Sequence, residues 1–252
     1  MDAFAYLALR FVLYFYGIVL VLGPIVLHSR FRLRARFDPC VVSLEELPVP
    51  VREFLEPRAG SLALWNFDLV AYLNLGQITR TTATYMALLS NPHTCEWADI
   101  TVIFSPLKKT GYIEFITRCS EEVQIDTNTA PPAPGLFSVP QHQVFRFPEI
   151  QDVYTLYRVH RMLVTDITHG ALPVLPPPGQ EVAELKRRLE RFGPWQQEHG
   201  YMYPDATGEN YRLTWKGAIL GAWRKTFPVP LVRGWQTQRK NQAVLARIAA
   251  AS

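Results

Sequence analysis

Apolar residues are spaced in three different ways along this chain, and each spacing predicts a different kind of element. From Phe11 to Leu27 the run FVLYFYGIVLVLGPIVL carries no charge and no strand-like alternation. At 1.5 Å per residue it reaches about 25 Å, and the apolar AFAYLAL upstream extends it through Arg10, so the pattern predicts one membrane-spanning helix. Tyr6, Tyr14 and Tyr16 are of the type found near a bilayer interface. Directly behind the run stand Arg30, Arg32, Arg34 and Arg36. Positive charge stays on the cytoplasmic side, which predicts an outer N-terminus and a cytoplasmic body. A cleaved signal peptide fits less well, because no small-residue cleavage site precedes the arginines.

Behind the apolar run the spacing changes to period two. Strict alternation over Arg30–Phe37 sets the arginines on one side of a ribbon and Phe31, Leu33, Ala35 and Phe37 on the other. After a proline-bounded helix within 48–59, short β-rich runs follow at 65–75, 79–89, 96–105, 111–119, 123–127 and 141–147. Turn candidates separate them: Ser90-Asn91-Pro92-His93, the Lys108-Lys109 segment, 120–122 and the proline-rich 131–135. Successive short strands bounded by turns predict an antiparallel meander.

The third spacing is helical. Val153, Leu156, Tyr157, His160, Leu163, Val164 and Ile167 recur three and four apart and make one apolar stripe, a cover for the sheet. The order of helix, strands and long helix resembles the helix-grip arrangement, in which a curved sheet wraps a helix and can enclose an apolar ligand. The stretch 169–179 holds four prolines and two glycines and reads as a linker. Past it come a charged helix over 181–192, a hairpin over 200–214, and helices over 215–227 and 231–250. The expected fold class is therefore α+β: a single transmembrane helix (1–37), an antiparallel sheet of about six strands under a long helix (38–168), and a C-terminal helix-hairpin-helix appendage (180–252).

Composition narrows the function classes. The net charge is +4, and the four arginines behind the apolar run equal that excess, so the body is near neutral. Basicity therefore speaks of topology rather than of nucleic acid. Three cysteines (Cys40, Cys95, Cys119) without a C-x-x-C pair predict free thiols, and no cofactor or metal is expected.

The chain has no phosphate-loop, dinucleotide-binding, H-E-x-x-H or G-x-S-x-G motif. Candidate acid–base groups are Glu114 and Asp126, on neighbouring strands and away from the apolar face, and His160 within the helical stripe. A one-sided sheet places such carboxylates in solvent, and a histidine in an apolar stripe is ordinarily a hydrogen-bonded core residue. Trp215 and Trp223, interleaved with Lys216, Arg224 and Lys225, suit a membrane interface, as do Arg10, Arg30, Arg32, Arg34 and Arg36.

The segment YRLTWKG (211–217) after a hairpin resembles the wing of winged-helix DNA-binding proteins over Gly200–Gly217. Prolines occupy the place of the upstream helix-turn-helix such a fold needs, so nucleic acid is not the expected partner. The leading expectation is a membrane-anchored binding module for an apolar ligand or a membrane-associated partner. Its partners would be the bilayer, through Phe11–Leu27, and anionic headgroups. The alternative is an enzyme with a Glu/Asp/His site, and the lesser one a tethered winged-helix-like DNA binder.

Overall fold

A computed structural model describes residues 3–78, 82–105, 108–119, 123–131, 137 and 142–250. The turn at 120–122 and, but for Pro131, the proline-rich loop 131–135 lie outside these. In chain order the elements are α1 (Ala3–Arg30), β1 (Leu33–Arg34), β2 (Cys40–Val42), α2 (Val49–Ala63), β3 (Asp68–Gly76), β4 (Ala83–Asn91), β5 (Glu96–Phe104), β6 (Lys109–Arg118), β7 (Gln124–Asn128), β8 (His142–Arg146), α3 (Val153–Thr168), α4 (Glu181–Glu198), β9 (Met202–Pro204), β10 (Asn210–Leu213), α5 (Trp215–Lys225) and α6 (Val229–Ala250). They form two compact units. One comprises 1–35, 134–137 and 193–237; the other comprises 36–133, 138–192 and 238–252.

The smaller unit holds the N-terminal helix, and here the membrane expectation fails. Among the described residues no helix is long and apolar enough to cross a membrane. The uncharged run falls short of the hydrocarbon core, and exposed Arg10 interrupts its extension. One side of α1 is also committed to protein. A Cβ built on Gly23 would touch Ala222, Pro24 is buried, and His28 stacks on Trp215 at 4.3 Å while its Nδ1 lies 2.7 Å from the Leu213 carbonyl oxygen. The single-pass topology, the outer N-terminus and the cytoplasmic placement derived from it are therefore withdrawn.

The arginine ribbon becomes a sheet edge instead of a membrane stop. Leu33 and Arg34 pair with Tyr211 and Asn210, completing a three-stranded sheet with the predicted hairpin. Alternation buries Leu33 and Phe37 and leaves Arg34 and Arg36 exposed, while Arg32 donates to the Phe31 carbonyl oxygen at 2.7 Å. Thr214 caps α5 by accepting from the Gly217 amide at 3.0 Å. Gly217 is obligatory, because a Cβ there would stand 2.2 Å from the Tyr201 carbonyl oxygen.

The larger unit is built on seven strands in the order β2-β3-β4-β5-β6-β7-β8. All neighbours are antiparallel except β7 and β8, which are parallel, so the sheet is mixed and not the expected simple meander. The turn expected over Ser90–His93 falls two residues later, at Pro92–Cys95, with Asn91 at the end of β4 and its Oδ1 accepting from the amides of His93 (3.0 Å) and Thr94 (3.2 Å).

Both faces of the sheet are covered, which is the second departure from the expected fold. On the first face α2 and α3 bury Ala87, Leu89, Ala98, Ile100, Val102, Ile113 and Phe115 against Val51, Leu55, Leu156 and Val159. Asp152 caps α3, accepting from the Thr155 amide at 2.7 Å, and His169 closes it in the left-handed conformation (φ 49°). On the second face Leu73, Leu75, Met86, Leu88, Trp97 and Ile116 pack with Leu185 of α4. The linker is part of this layer: the Val174 amide donates to the Arg118 carbonyl oxygen at 2.7 Å, and Leu175 packs on the same core. A helix on each side converts a half-solvated sheet into a buried middle layer.

The charged helix also runs past its expected end, through Gly193 and Pro194 to Glu198. Gly193 has no Cβ to hold off the Tyr211 ring, which would stand 2.2 Å from one. That close ring covers a position where the sequence pattern signals a stop.

Candidate polar site on the second face of the sheet

Strand alternation and register decide which polar side chains meet. In β5 Trp97, Asp99 and Thr101 share the second face; in β6 it is Tyr112, Glu114 and Ile116; in β7 Gln124, Asp126 and Asn128; and in β8 His142, Val144 and Arg146. Register sets Asp99 opposite Glu114, Glu114 opposite Asn128, and Asn128 opposite Arg146. Asp126 stands one diagonal step from Glu114, a separation of about 7–8 Å or less along a sheet face. From above, Arg188 of α4 reaches down: its Nη2 donates to Asp99 Oδ2 at 2.7 Å, and its guanidinium lies 5.5 Å from the Trp97 ring centroid.

The row is largely withdrawn from water but not closed. Asp99, Asp126 and Asn128 are buried, whereas Tyr112, Glu114, His142 and Arg146 keep partial exposure. Asn128 Nδ2 donates to Glu114 Oε1 at 2.6 Å, and Gln124 Nε2 donates to Asp126 Oδ1 at 2.8 Å. His142 Nε2 pairs with the other Asp126 oxygen.

Neighbouring carboxyls are thereby driven in opposite directions. Burial pushes Glu114 up to about 7, and the charges of Asp126 and Asp99 add to the effect against Arg188 and the Asn128 hydrogen bond. Burial alone would also raise Asp126. The charge and hydrogen bond of His142, with Arg188 and Gln124, outweigh it and hold that carboxylate below its ordinary range. Burial would lower His142, but the Asp126 charge and hydrogen bond, with Glu114, keep the imidazole above its usual value. Asp99 is raised by burial, which Arg188 opposes. The row thus sets a carboxylate and an imidazole that each favour the other's charged form beside a carboxyl whose midpoint is about 7.

Several buried polar atoms here have no hydrogen-bond partner among the described residues: Asp99 Oδ1, Arg188 Nη1, Arg146 Nε, Trp97 Nε1 and the Thr84 hydroxyl, whereas Thr101 is hydrogen-bonded to Tyr112 opposite it. Fold stability alone gives no reason to bury such groups unsatisfied, since each costs about 1–3 kcal/mol. Among the described residues no group of three His, Cys, Asp or Glu side chains is placed to hold a metal ion.

Two of the three candidates foreseen from the sequence, Glu114 and Asp126, thus share one face. That face is buried under α4, not solvated, because α4 supplies a second cover. His160 lies on the other face, with Nε2 at 2.8 Å from Thr117 Oγ1 and Nδ1 at 3.0 Å from Thr127 Oγ1. Beside it Arg161 and Tyr157 donate to the fully buried Glu96 at 2.6 and 2.8 Å. Burial lowers His160 to about 4, so it is a neutral core histidine satisfied by two hydroxyls.

Since the folded value lies below the unfolded one of about 6.5, the unfolded chain binds the extra proton, and stability falls as pH drops from about 6.5 towards 4. The span corresponds to about 3 kcal/mol. Urea unfolding across that range should show it, and His160→Gln should remove this part of the pH dependence while lowering stability by about 1–3 kcal/mol at pH 7.

Of the residues assigned to a membrane interface, Arg10 stands 5.2 Å from the Tyr6 ring centroid and Arg30 is exposed. Trp223 is exposed, and Trp215 is also in use against His28.

Sequence reasoning missed Asp99, Asn128, His142, Arg146 and Arg188. Period two in EWADITVIF already sets Asp99 between Trp97 and Thr101 on one face, and Arg188 lies one turn beyond Leu185. Both signals depend on knowing that the second face is covered. In comparison with family models, curated proteins and solved structures, the chain matches none.

Proposed function

We propose that the row Asp99–Glu114–Asp126–His142 under Arg188 is an active site for proton transfer on a small polar substrate. The observation that carries this reading is the convergence of Asp99, Glu114, Asp126 and His142 on one covered face that keeps partial access to solvent, where burial drives Glu114 upward while His142 holds Asp126 downward.

Protonated Glu114 acts as general acid towards a carbonyl oxygen. Asp99, directly opposite and with Oδ1 unbonded, acts as general base towards the neighbouring C–H. The proton leaves carbon for Asp99 as Glu114 delivers its own to oxygen, giving an enol. Reversal returns both protons and exchanges the hydrogen on that carbon. Where that carbon also bears a hydroxyl the intermediate is an enediol, and return of the carbon proton to the former carbonyl carbon, as Glu114 takes up the hydroxyl proton, isomerises the substrate without net loss of a proton. Asp126, kept ionised by His142, positions the proton on Glu114.

The test is exchange of carbon-bound hydrogen in deuterated buffer, followed by proton NMR on a panel of neutral, cationic and anionic small carbonyl compounds. The wild-type chain should wash out α-hydrogens of some of them. The rate should fall about tenfold per pH unit above about 7, where Glu114 loses its proton. Glu114→Gln and Asp99→Asn should each lower exchange about 10²-fold or more. Exchange by Glu114→Gln at the wild-type rate, or none above buffer with the wild type, removes the reading.

A further inference from the structure

The donors left unsatisfied in this row specify what it would hold. Arg146 Nε from the edge strand, Arg188 Nη1 from the covering helix and Trp97 Nε1 from the floor are all N–H groups that cannot accept, and each is sealed from solvent without a partner among the described residues. One acceptor, Asp99 Oδ1, and the Thr84 hydroxyl accompany them. An acceptor-rich group with a nearby donor completes such a set. A carboxylate bearing a hydroxyl on the adjacent carbon is the smallest species with both.

Charge agrees with that stoichiometry. The groups acting on Glu114 are Asp99 from β5, Asp126 and Asn128 from β7, His142 from β8 and Arg188 from α4, with Tyr112 beside it in β6; Arg146 of β8 stands beyond, opposite Asn128. With Glu114 protonated the row carries one negative charge fewer against the fixed cations Arg146 and Arg188, which favours an incoming anion. With Glu114 ionised, a bound anion would face one more buried carboxylate.

We infer that this face binds a small monoanionic 2-hydroxy or 2-oxo carboxylate, its carboxylate between Arg146 and Arg188 and its 2-oxygen towards Asp99 and Glu114, with uptake of one proton by Glu114. The inference rests on the proton-transfer reading above and names its substrate class: the 2-oxo carboxylates, whose carbonyl Glu114 protonates, while the 2-hydroxy acids bind without reacting. An arginine on the edge strand and one on the covering helix present the fork that carboxylates are recognised by, from opposite sides. Binding only the protonated form makes the apparent affinity scale with the fraction of Glu114 carrying its proton.

Glycolate, which has the required groups and no carbonyl to react, is the probe. Titrated into the full chain, it should produce a saturable shift of the Trp97 indole N–H resonance, assigned by its absence in Trp97→Phe. Affinity should be about tenfold weaker at pH 8 than at pH 6. In Glu114→Gln, permanently neutral, the pH dependence should vanish while binding persists.

Arg146→Gln, on an edge strand, should weaken binding about tenfold or more without unfolding the chain. Acetate, lacking the hydroxyl, should bind more weakly, and ethylene glycol, lacking the charge, should not shift the resonance. No saturable shift, a shift unchanged in Arg146→Gln, or equal affinity at both pH values in the wild type overturns the inference. Glycolate binding without hydrogen exchange on any carbonyl compound leaves the anion site and removes the catalytic reading. Exchange confined to neutral compounds, with Trp97 unmoved by glycolate, does the reverse.

Discussion

Arg188→Met lowers the unfolding free energy by about 3–5 kcal/mol at pH 8, the cost of leaving a buried charge without its partner. Arg188 is the cation bonded to Asp99, whose side chain is fully buried between β4 and β6. Methionine restores the volume but not the charge, so Asp99 must either remain ionised and unpaired or take up a proton. The second route becomes easier with acidity: losing Arg188 raises the Asp99 affinity for protons further, and the penalty shrinks as pH falls towards 4.

Denaturant unfolding at pH 8 and pH 5 measures both values. Adding Asp99→Asn to the variant should recover most of the loss, because no charge is then left buried. Equal stability of Arg188→Met and wild type at pH 8 would mean that water reaches Asp99 freely, and the buried row described above would not exist.

Glu114→Gln has the opposite sign in stability. The folded chain holds the Glu114 proton up to about 7, whereas the unfolded carboxyl releases it near 4.3. A carboxyl whose folded value is raised favours the native state only while both forms are protonated. Native stability is lost as pH rises from about 4.3 through 7, by up to about 3 kcal/mol. Glutamine carries no charge to bury beside Asp99 and Asp126. The variant should therefore match the wild type near pH 4 and exceed it by about 2–3 kcal/mol at pH 8, while losing proton exchange. Gain of stability with loss of activity is the behaviour of a group kept for chemistry and not for packing.

Much of this fold is legible in period two and period three-and-a-half spacing. The stripe from Val153 to Ile167 does become α3, and the hairpin at 200–214 forms between Met202 and Leu213. Two elements misled for physical reasons. An apolar run has the same composition whether lipid or a neighbouring helix covers it. At the end of Phe11–Leu27 the chain meets its own protein, where Gly23 and Leu27 lie against Ala222 and Gly221 of α5 and His28 just beyond reaches the Leu213 carbonyl oxygen, and spacing cannot show those contacts.

The polar face of β5 to β7 reads as solvated because Glu114, Asp126 and Asn128 alternate with Ile113, Ile125 and Thr127. The cover, α4, lies about seventy residues later and looks like an ordinary charged surface helix. Not all its arginines stay at the surface: Arg188 turns inward to Asp99, and exposed Arg187, with Arg118 of β6, pairs with the buried Glu184. Which charged residue of a helix turns inward depends on what the facing sheet offers. That offer, Asp99, is itself a single acid in an apolar strand. His142 was passed over because its partner, Asp126, joins it only through the parallel pairing of β7 with β8.

The central claim concerns one proton, and its midpoint can be read directly. Carbon-13 NMR of the side-chain carboxyls, with the Glu114 resonance identified by its absence in Glu114→Gln, follows that proton from pH 3 to pH 9. The account predicts a midpoint about 7 and a clear downward shift of it in Asp126→Asn, where the neighbouring charge is gone. A midpoint in the ordinary carboxylate range of about 4, unmoved by Asp126→Asn, would contradict it.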